Sequence, residues 1–177
     1  LLFTARSIDY ALTHDWDAAL ADAGQAVASD TASLWAYFQR ATVRLKICLL
    51  QDDRRAALSS AGRQDGAERE LQLPEVSLSD AYADLQTVCR KAPDFAYAYY
   101  NAGIVLTAMK RTQEALAAYD EAIRLEPALA EAYFNRALLL MEGASSEADR
   151  ARAFADLSRA GELGIPQAYS LIKMFSK

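Results

Sequence analysis

Small and apolar side chains recur along this chain with the spacing of helix faces rather than of strands. In the most regular stretch, Tyr99, Gly103 and Leu106 follow the i, i+4, i+7 pattern of one buried helix face. After a short polar turn the same spacing returns from Ala115 onwards. The pattern predicts two amphipathic helices, the first over about 96–109 and the second over about 112–125.

These two helices are expected to pack closely as a hairpin. Helices approach each other closely only where one or both present a small side chain, which Gly103 and Ala115 supply. Pro127 follows the second helix, and proline cannot continue a helix because it lacks the amide hydrogen and its ring clashes with the preceding turn. The sequence therefore predicts that the hairpin ends just before Pro127.

The hairpin pattern repeats along the chain with a 34-residue period. The pentapeptide YYNAG at 99–103 recurs as YFNRA at 133–137. The related YFQRA at 37–41 lies 62 residues before the first of these, which is one period plus an insertion of 28 residues. Towards the C-terminus Ala115 maps to Ala153 with a shift of 38 residues. A fixed period of this length is the signature of a repeat architecture, in which each hairpin packs on its neighbours.

The period predicts four hairpins and one closing helix. Four residues added near 143–149 equal about one helical turn, so the second helix of the last hairpin should be longer, capped by Ser145 or Ser146. Pro166 suits the first turn of a further helix. The predicted hairpins cover about 1–33, 34–95 (with the insertion at about 46–77), 96–129 and 130–164, and the closing helix covers about 166–176.

The insertion separates the two helices of the second hairpin. Val43, Ile47 and Leu50 keep a helical spacing, so the first helix is predicted to continue past Leu50. The polar segment 59–72 is predicted to be a surface loop with one short helical piece around 67–71. Residues expected to dock the returning chain near Pro74 are Leu71, Leu73 and Val76.

Composition agrees with a helical protein and excludes some partners. Glycine (7) and proline (4) are scarce among the 177 residues, which favours helix throughout. The net charge of −5 argues against a nucleic-acid surface, and no apolar run approaches the roughly 20 residues that span a bilayer. The chain begins at Leu1 rather than at methionine, so we expect it to be part of a longer protein.

Residues for catalysis or metal binding are sparse. His14 is the only histidine and is expected to be an exposed turn residue beside Asp15. Cys48 and Cys89 form neither a disulfide framework nor a thiol cluster. No glycine-rich phosphate loop is present. The sequence therefore predicts no catalytic residue, no metal site and no cofactor, and we do not expect an enzyme.

The repeat resembles the tetratricopeptide repeat (TPR) family. The resemblance rests on Tyr99, Gly103, Leu106, Ala115, Tyr119, Ala122 and Pro127. It implies an all-α fold, a right-handed α-solenoid of about four helical hairpins with a C-terminal closing helix. The outer hairpins depart from the family, since Ser7 stands where it usually has glycine or alanine and Thr31 where it usually has proline. The segment 160–169 looks more like the related Sel1-type repeat.

In this family the first helix of each hairpin lines a concave groove, which implies a protein or peptide partner. Asn101 and Asn135 are expected to bracket a peptide backbone, because a carboxamide both donates and accepts hydrogen bonds. Tyr100 is the expected central anchor, while Tyr99 is expected to point into the hairpin. The candidate groove residues are Trp35, Phe38, Gln39, Tyr97, Tyr100, Asn101, Ile104, Phe134, Asn135 and Leu138.

Alternatives to a partner groove stay open at this point. The aromatic side chains can also be covered by the insertion, by missing repeats or by a second copy of the chain, or can simply pack between adjacent first helices. The leading interpretation is a non-catalytic scaffold, and the alternative is a structural module closed by self-association or by the rest of its own chain. The candidate face lacks a cationic pair, so it does not match the clamps of the family that hold the carboxylate of a chaperone tail.

Overall fold

The structure is a computed structural model that describes residues 2–60, 73–143 and 146–175. These residues form nine α-helices and no strand, which confirms the predicted all-α class. The chain divides into two compact units, Leu1–Ala92 and Pro93–Lys177.

The first unit contains two helical hairpins. The apolar core between them joins Trp16 and Ala19 of the second helix to Val43 and Ile47 of the third. The pattern of small and β-branched side chains thus places the hairpins side by side. The helices are α1 (Leu2–Leu12), α2 (Trp16–Ser29), α3 (Leu34–Ser60) and α4 (Leu78–Lys91).

Helix α3 extends into the insertion, as predicted. It has 27 residues against 11 in α1. Leu73 and Val76 pack against the core between the two hairpins, and Gln51 Nε2 donates to the carbonyl of Pro74 at 3.0 Å. The docking of the returning chain is therefore confirmed for Leu73 and Val76. Leu71, most of the predicted loop and its short helical piece lie in 61–72, outside the described residues.

The second unit contains two further hairpins and the closing helix. One core cluster joins Ala137 and Leu140 to Leu157, and it extends to Ala168 of the last helix. The predicted closing helix is therefore present and packs on the hairpin before it. The helices are α5 (Ala96–Ala108), α6 (Thr112–Leu125), α7 (Ala130–Glu142), α8 (Glu147–Glu162) and α9 (Gln167–Phe175).

Helices α1, α5 and α8 end in the same type of turn. His14, Lys110 and Gly164 adopt left-handed backbone conformations, with φ of 64°, 60° and 109°. In the first of these turns the amide of Asp15 donates to the carbonyl of Tyr10 at 2.9 Å, which is the Schellman arrangement. His14 is therefore explained as a turn residue of the repeat.

The helix boundaries agree with the local signals in the sequence. Helix α6 ends at Leu125, two residues before Pro127. Ser146 caps α8 by accepting a hydrogen bond from the amide of Asp149 at 3.1 Å. Helix α8 has 16 residues against 14 in α6, so the added residues lengthen both the helix and the turn before it.

Candidate partner-binding surface

In the first unit an aromatic pair stands on the first turns of α3. The rings of Trp35 and Phe38 stack with centroids 5.4 Å apart and an interplanar angle of 30°. Trp35 remains 47% exposed although its ring is large and apolar. Interfaces favour exposed tryptophan as an anchor, so this pair keeps its candidate role.

Gln39 does not belong to the exposed surface. It is only 9% exposed, so the expectation that it lines an open groove is wrong. The reason is its position on a second buried stripe of α3, together with Ala36 and Val43. Ala36 packs against Ala26 of α2, which covers that side of the helix.

In the second unit the candidate residues lie on α5 and α7, the two first helices. Tyr97 is 50% exposed, with its ring 6.1 Å from that of Phe95, and Leu138 is also exposed. The other five candidates are half-buried. We call this surface the α5–α7 face; its members are Tyr97, Tyr100, Asn101, Ile104, Phe134, Asn135 and Leu138.

Tyr100 is less exposed than the sequence predicted. Its ring lies 6.3 Å from that of Tyr119, and its hydroxyl accepts a hydrogen bond from Asn135 Nδ2 at 3.3 Å. Burial raises the pKa of Tyr100, and the negative charge of Glu131 raises it further. Tyr99 and Tyr100 both pack against the cluster around Ala122. The expected contrast between an inward Tyr99 and an outward Tyr100 is therefore wrong, because α5 packs on both α6 and α7.

Tyr119 fills the centre of the α5–α6 hairpin. It is 1% exposed, and a Cβ atom added to Gly103 would lie 2.5 Å from its ring. A larger residue at position 103 therefore requires this ring to shift. The Tyr119 hydroxyl lies 3.4 Å from Thr107 Oγ1, and burial raises the pKa of Tyr119 to about 12.

Phe134 and Asn135 take different places on α7. Phe134 packs against the core cluster of the α7–α8 hairpin, so part of its ring is structural. Asn135 Nδ2 donates a hydrogen bond to the Tyr100 hydroxyl. The side-chain carbonyl oxygen of Asn135 is then the group that can accept a hydrogen bond from a peptide backbone. Tyr97 and Leu138 are the most open residues of the α5–α7 face.

Paired arginine and aspartate side chains link the two helices of three hairpins, and sequence reasoning missed them. In the α7–α8 hairpin, Arg136 donates to both carboxylate oxygens of Asp156, at 2.7 and 2.6 Å. Equivalent repeat positions hold Ala102 and Ala118 in the α5–α6 hairpin. The recurrence was visible in the sequence at the repeat spacing. The other two pairs are Arg6 with Asp22 and Arg40 with Asp84.

A small cleft lies beside the turn between α1 and α2. Its volume is about 290 Å³. The His14 ring meets the Trp16 ring edge-on at 5.8 Å, and Trp16 Nε1 is buried without a hydrogen-bond partner among the described residues. No serine, threonine or cysteine lines the cleft beside His14. The lining residues are His14, Trp16, Lys46, Leu49, Leu50 and Asp53.

Within the described ranges, no three histidine, cysteine or carboxylate side chains group as metal ligands. No described helix combines the length and the apolar character that crossing a membrane requires.

Comparisons with known proteins agree with this architecture. The TPR repeat family matches residues 105–142, from within α5 to the end of α7. No curated protein sequence matches the chain. The Sel1-type resemblance of 160–169 stays a prediction.

Solved structures share the fold at low sequence identity. A MamA fragment from Desulfovibrio magneticus is 17% identical and covers 91% of this chain and 73% of its own, with a TM-score of 0.68. A thermophilic TPR protein from Thermus thermophilus is 17% identical, with coverages of 98% and 78% and a TM-score of 0.65. An O-GlcNAc transferase from Thermobaculum terrenum also matches, at 12% identity and a TM-score of 0.68, but over only 25% of its own length. The chain thus has the fold of TPR proteins.

Proposed function

We propose that this chain is a non-catalytic scaffold that holds a segment of another protein on its first helices. The single observation that carries the proposal is the exposure of large aromatic side chains there, Trp35 in the first unit and Tyr97 in the second. Contiguous exposed apolar patches are typical of binding surfaces, and tryptophan and tyrosine are favoured as anchors in interfaces. The likeness to TPR proteins supports the same interpretation.

Enzymatic activity is not part of the proposal. His14 is accounted for by its turn, and the cleft beside it has no serine, threonine or cysteine and only one carboxylate, that of Asp53. The transferase that shares the fold does so over a quarter of its length, so that likeness concerns the fold alone.

The proposal is tested by comparing two tyrosines of equal exposure. Tyr97 and Tyr169 are 50% and 51% exposed, but only Tyr97 lies on the α5–α7 face. Partners captured from native extract by the wild-type chain are identified by mass spectrometry and mapped to peptides. We expect Tyr97→Ala to weaken binding of the mapped peptide by about 2 kcal/mol, roughly thirtyfold. Equal binding by wild type and Tyr97→Ala, or equal losses in Tyr97→Ala and Tyr169→Ala, would refute the proposed surface.

Self-association is the second candidate. The observation that favours it is the open apolar side chains of the terminal helices, Leu2 and Leu12 on α1 and Met174 and Phe175 on α9. Light scattering over a concentration series tests it. A mass that stays at 19.4 kDa excludes self-association, whereas a rising mass that Leu12→Ser and Met174→Ser suppress supports it.

A further inference from the structure

The helices of the α5–α7 face carry few charges, and the one without an ion-pair partner among the described residues is negative. Helix α5 contains no charged residue. Helix α7 contains three, and two of them have partners: Arg136 binds Asp156, and Glu142 lies 3.8 Å from Lys110. Glu131 is exposed and forms no ion pair with any residue that the structure describes. The formal charge left open on this side of the unit is therefore negative.

Glu131 lies next to the aromatic side chains of the face. Asn135 holds the Tyr100 hydroxyl at 3.3 Å, and Glu131 precedes Asn135 by four residues, so both project from the same side of α7. The negative charge of Glu131 contributes to the raised pKa of Tyr100, which agrees with this placement.

Tyr97 on α5 lies at the same height along the helix axes as Glu131 on α7. Short turns join α5 to α6 and α6 to α7, so consecutive helices run antiparallel and α5 and α7 run in the same direction. Tyr97 lies one turn before Tyr100 on α5, as Glu131 lies one turn before Asn135 on α7. A half-exposed tyrosine ring and an exposed carboxylate therefore border the Tyr100–Asn135 contact on its N-terminal side.

We propose that this part of the face binds a basic side chain, arginine or lysine, of the partner segment. The cation would lie over the Tyr97 ring and pair with the Glu131 carboxylate, which combines a cation–π contact with an ion pair. The inference rests on the proposed function and adds the chemistry of the partner. It gives the surface a polarity opposite to that of a groove that clamps carboxylates.

Glu131 also has a role that needs no partner. It stands in the first turn of α7, where a carboxylate complements the helix dipole. Glu147 does the same in the first turn of α8, where it is exposed on a helix that is not part of the α5–α7 face. Glu147→Gln is therefore the matched control for Glu131→Gln, since both changes remove one charge from a helix N-terminus.

The test uses the full chain and two small probes, N-acetylarginine N-methylamide and its uncharged isostere N-acetylcitrulline N-methylamide. In ¹⁵N-resolved NMR titrations, we expect arginine to shift the amide signals around Tyr97 and Glu131, and citrulline to shift them much less. Glu131→Gln and Tyr97→Ala should each weaken arginine binding roughly two- to fivefold, and added salt should weaken it further. Glu147→Gln should bind as the wild type does.

Equal responses to arginine and citrulline overturn the inference, and so does unchanged arginine binding in Glu131→Gln. The outcome is separable from that of the proposed function. If a mapped partner peptide depends on Tyr97 but not on Glu131, the scaffold stands and its basic specificity fails. If no captured partner depends on Tyr97, the proposed function itself fails.

Discussion

The two hairpins of the second unit, α5–α6 and α7–α8, use different side chains to pack their two helices together. In α5–α6 a glycine, Gly103, lies beneath the buried ring of Tyr119. At the equivalent positions α7–α8 has Ala137 and Leu157, which share one core cluster. A larger side chain on one helix thus accompanies a smaller one on the other, so the two helices of each hairpin can pack without a void.

The hairpins also differ in buried charge. Helices α7 and α8 are joined by Arg136 and Asp156, whose side chains are 10% and 6% exposed, whereas α5 and α6 have alanines at both positions. A buried ion pair adds little net stability over a well-packed apolar contact but is costly to break. The α5–α6 hairpin therefore depends on close packing of apolar side chains, and the α7–α8 hairpin also depends on an intact ion pair.

The largest expected effect is the loss of the Tyr119 ring. Tyr119→Ala should lower the free energy of unfolding by about 3–5 kcal/mol, because Gly103 has no side chain to fill the space. Leu157→Ala in the other hairpin should lower the free energy of unfolding by roughly 1 kcal/mol less than Tyr119→Ala does, since a smaller side chain is removed. Urea unfolding followed by circular dichroism measures both. A Leu157→Ala cost above that of Tyr119→Ala would contradict the assigned central role of the ring.

Breaking the buried ion pair should have the next largest effect. Asp156→Ala should cost about 3 kcal/mol because it leaves the Arg136 guanidinium buried with only Asp120 as a partner. The double change Arg136→Ala with Asp156→Ala copies the alanine pair of α5–α6 and should be less destabilising than Asp156→Ala alone. If the double variant is the less stable of the two, the α7–α8 hairpin needs Arg136 for more than the pair.

Tyr100 connects the two hairpins through its hydrogen bond with Asn135, so its truncation should also lower the stability of the fold. We expect Tyr100→Ala to lower the free energy of unfolding by about 2 kcal/mol, since a half-buried ring and a hydrogen bond are lost. Tyr97→Ala should change it by less than about 0.5 kcal/mol, because Tyr97 is half exposed. Thermal unfolding of the two variants compares them directly, and equal melting temperatures would remove the distinction between an anchor of the fold and an open contact residue.

Smaller effects than the loss of the Tyr100 ring are expected at two glycines that face tyrosine rings. A Cβ at Gly103 would lie 2.5 Å from Tyr119, and one at Gly161 would lie 2.6 Å from Tyr169. Tyr119 is enclosed, so Gly103→Ala should cost about 1–2 kcal/mol in the free energy of unfolding. Tyr169 is 51% exposed and can turn away, so Gly161→Ala should be neutral or stabilise by up to about 1 kcal/mol through helix propensity.

The partner ring provides the control for the glycine comparison. Tyr119→Leu combined with Gly103→Ala recreates the alanine and leucine of α7–α8. This double variant should be less destabilised than the sum of its single changes, which a double-mutant cycle measures. Strict additivity would show that position 103 does not sense the size of residue 119.

Much of the fold could be predicted from the sequence because its signals are local. The 34-residue period predicted the hairpins, and Pro127 predicted the end of α6. Ser145 and Ser146 were the two predicted caps of α8, and the structure has Ser146. Backbone stereochemistry and the spacing of apolar side chains act over a few residues, so these features can be read without knowing the neighbours.

The candidate site was less predictable, because periodicity identifies one buried face of a helix and several of these helices have two. Gln39 is buried because α2 covers the second side of α3, and Tyr100 is half-buried because α7 covers the second side of α5. Which arginine meets which aspartate, and which glycine faces a ring that cannot move, depend on distances between residues far apart in the chain. The sequence by itself determined the helices and their order, and the tertiary structure decided which aromatic side chains stay exposed, since exposure is a property of all the neighbours together.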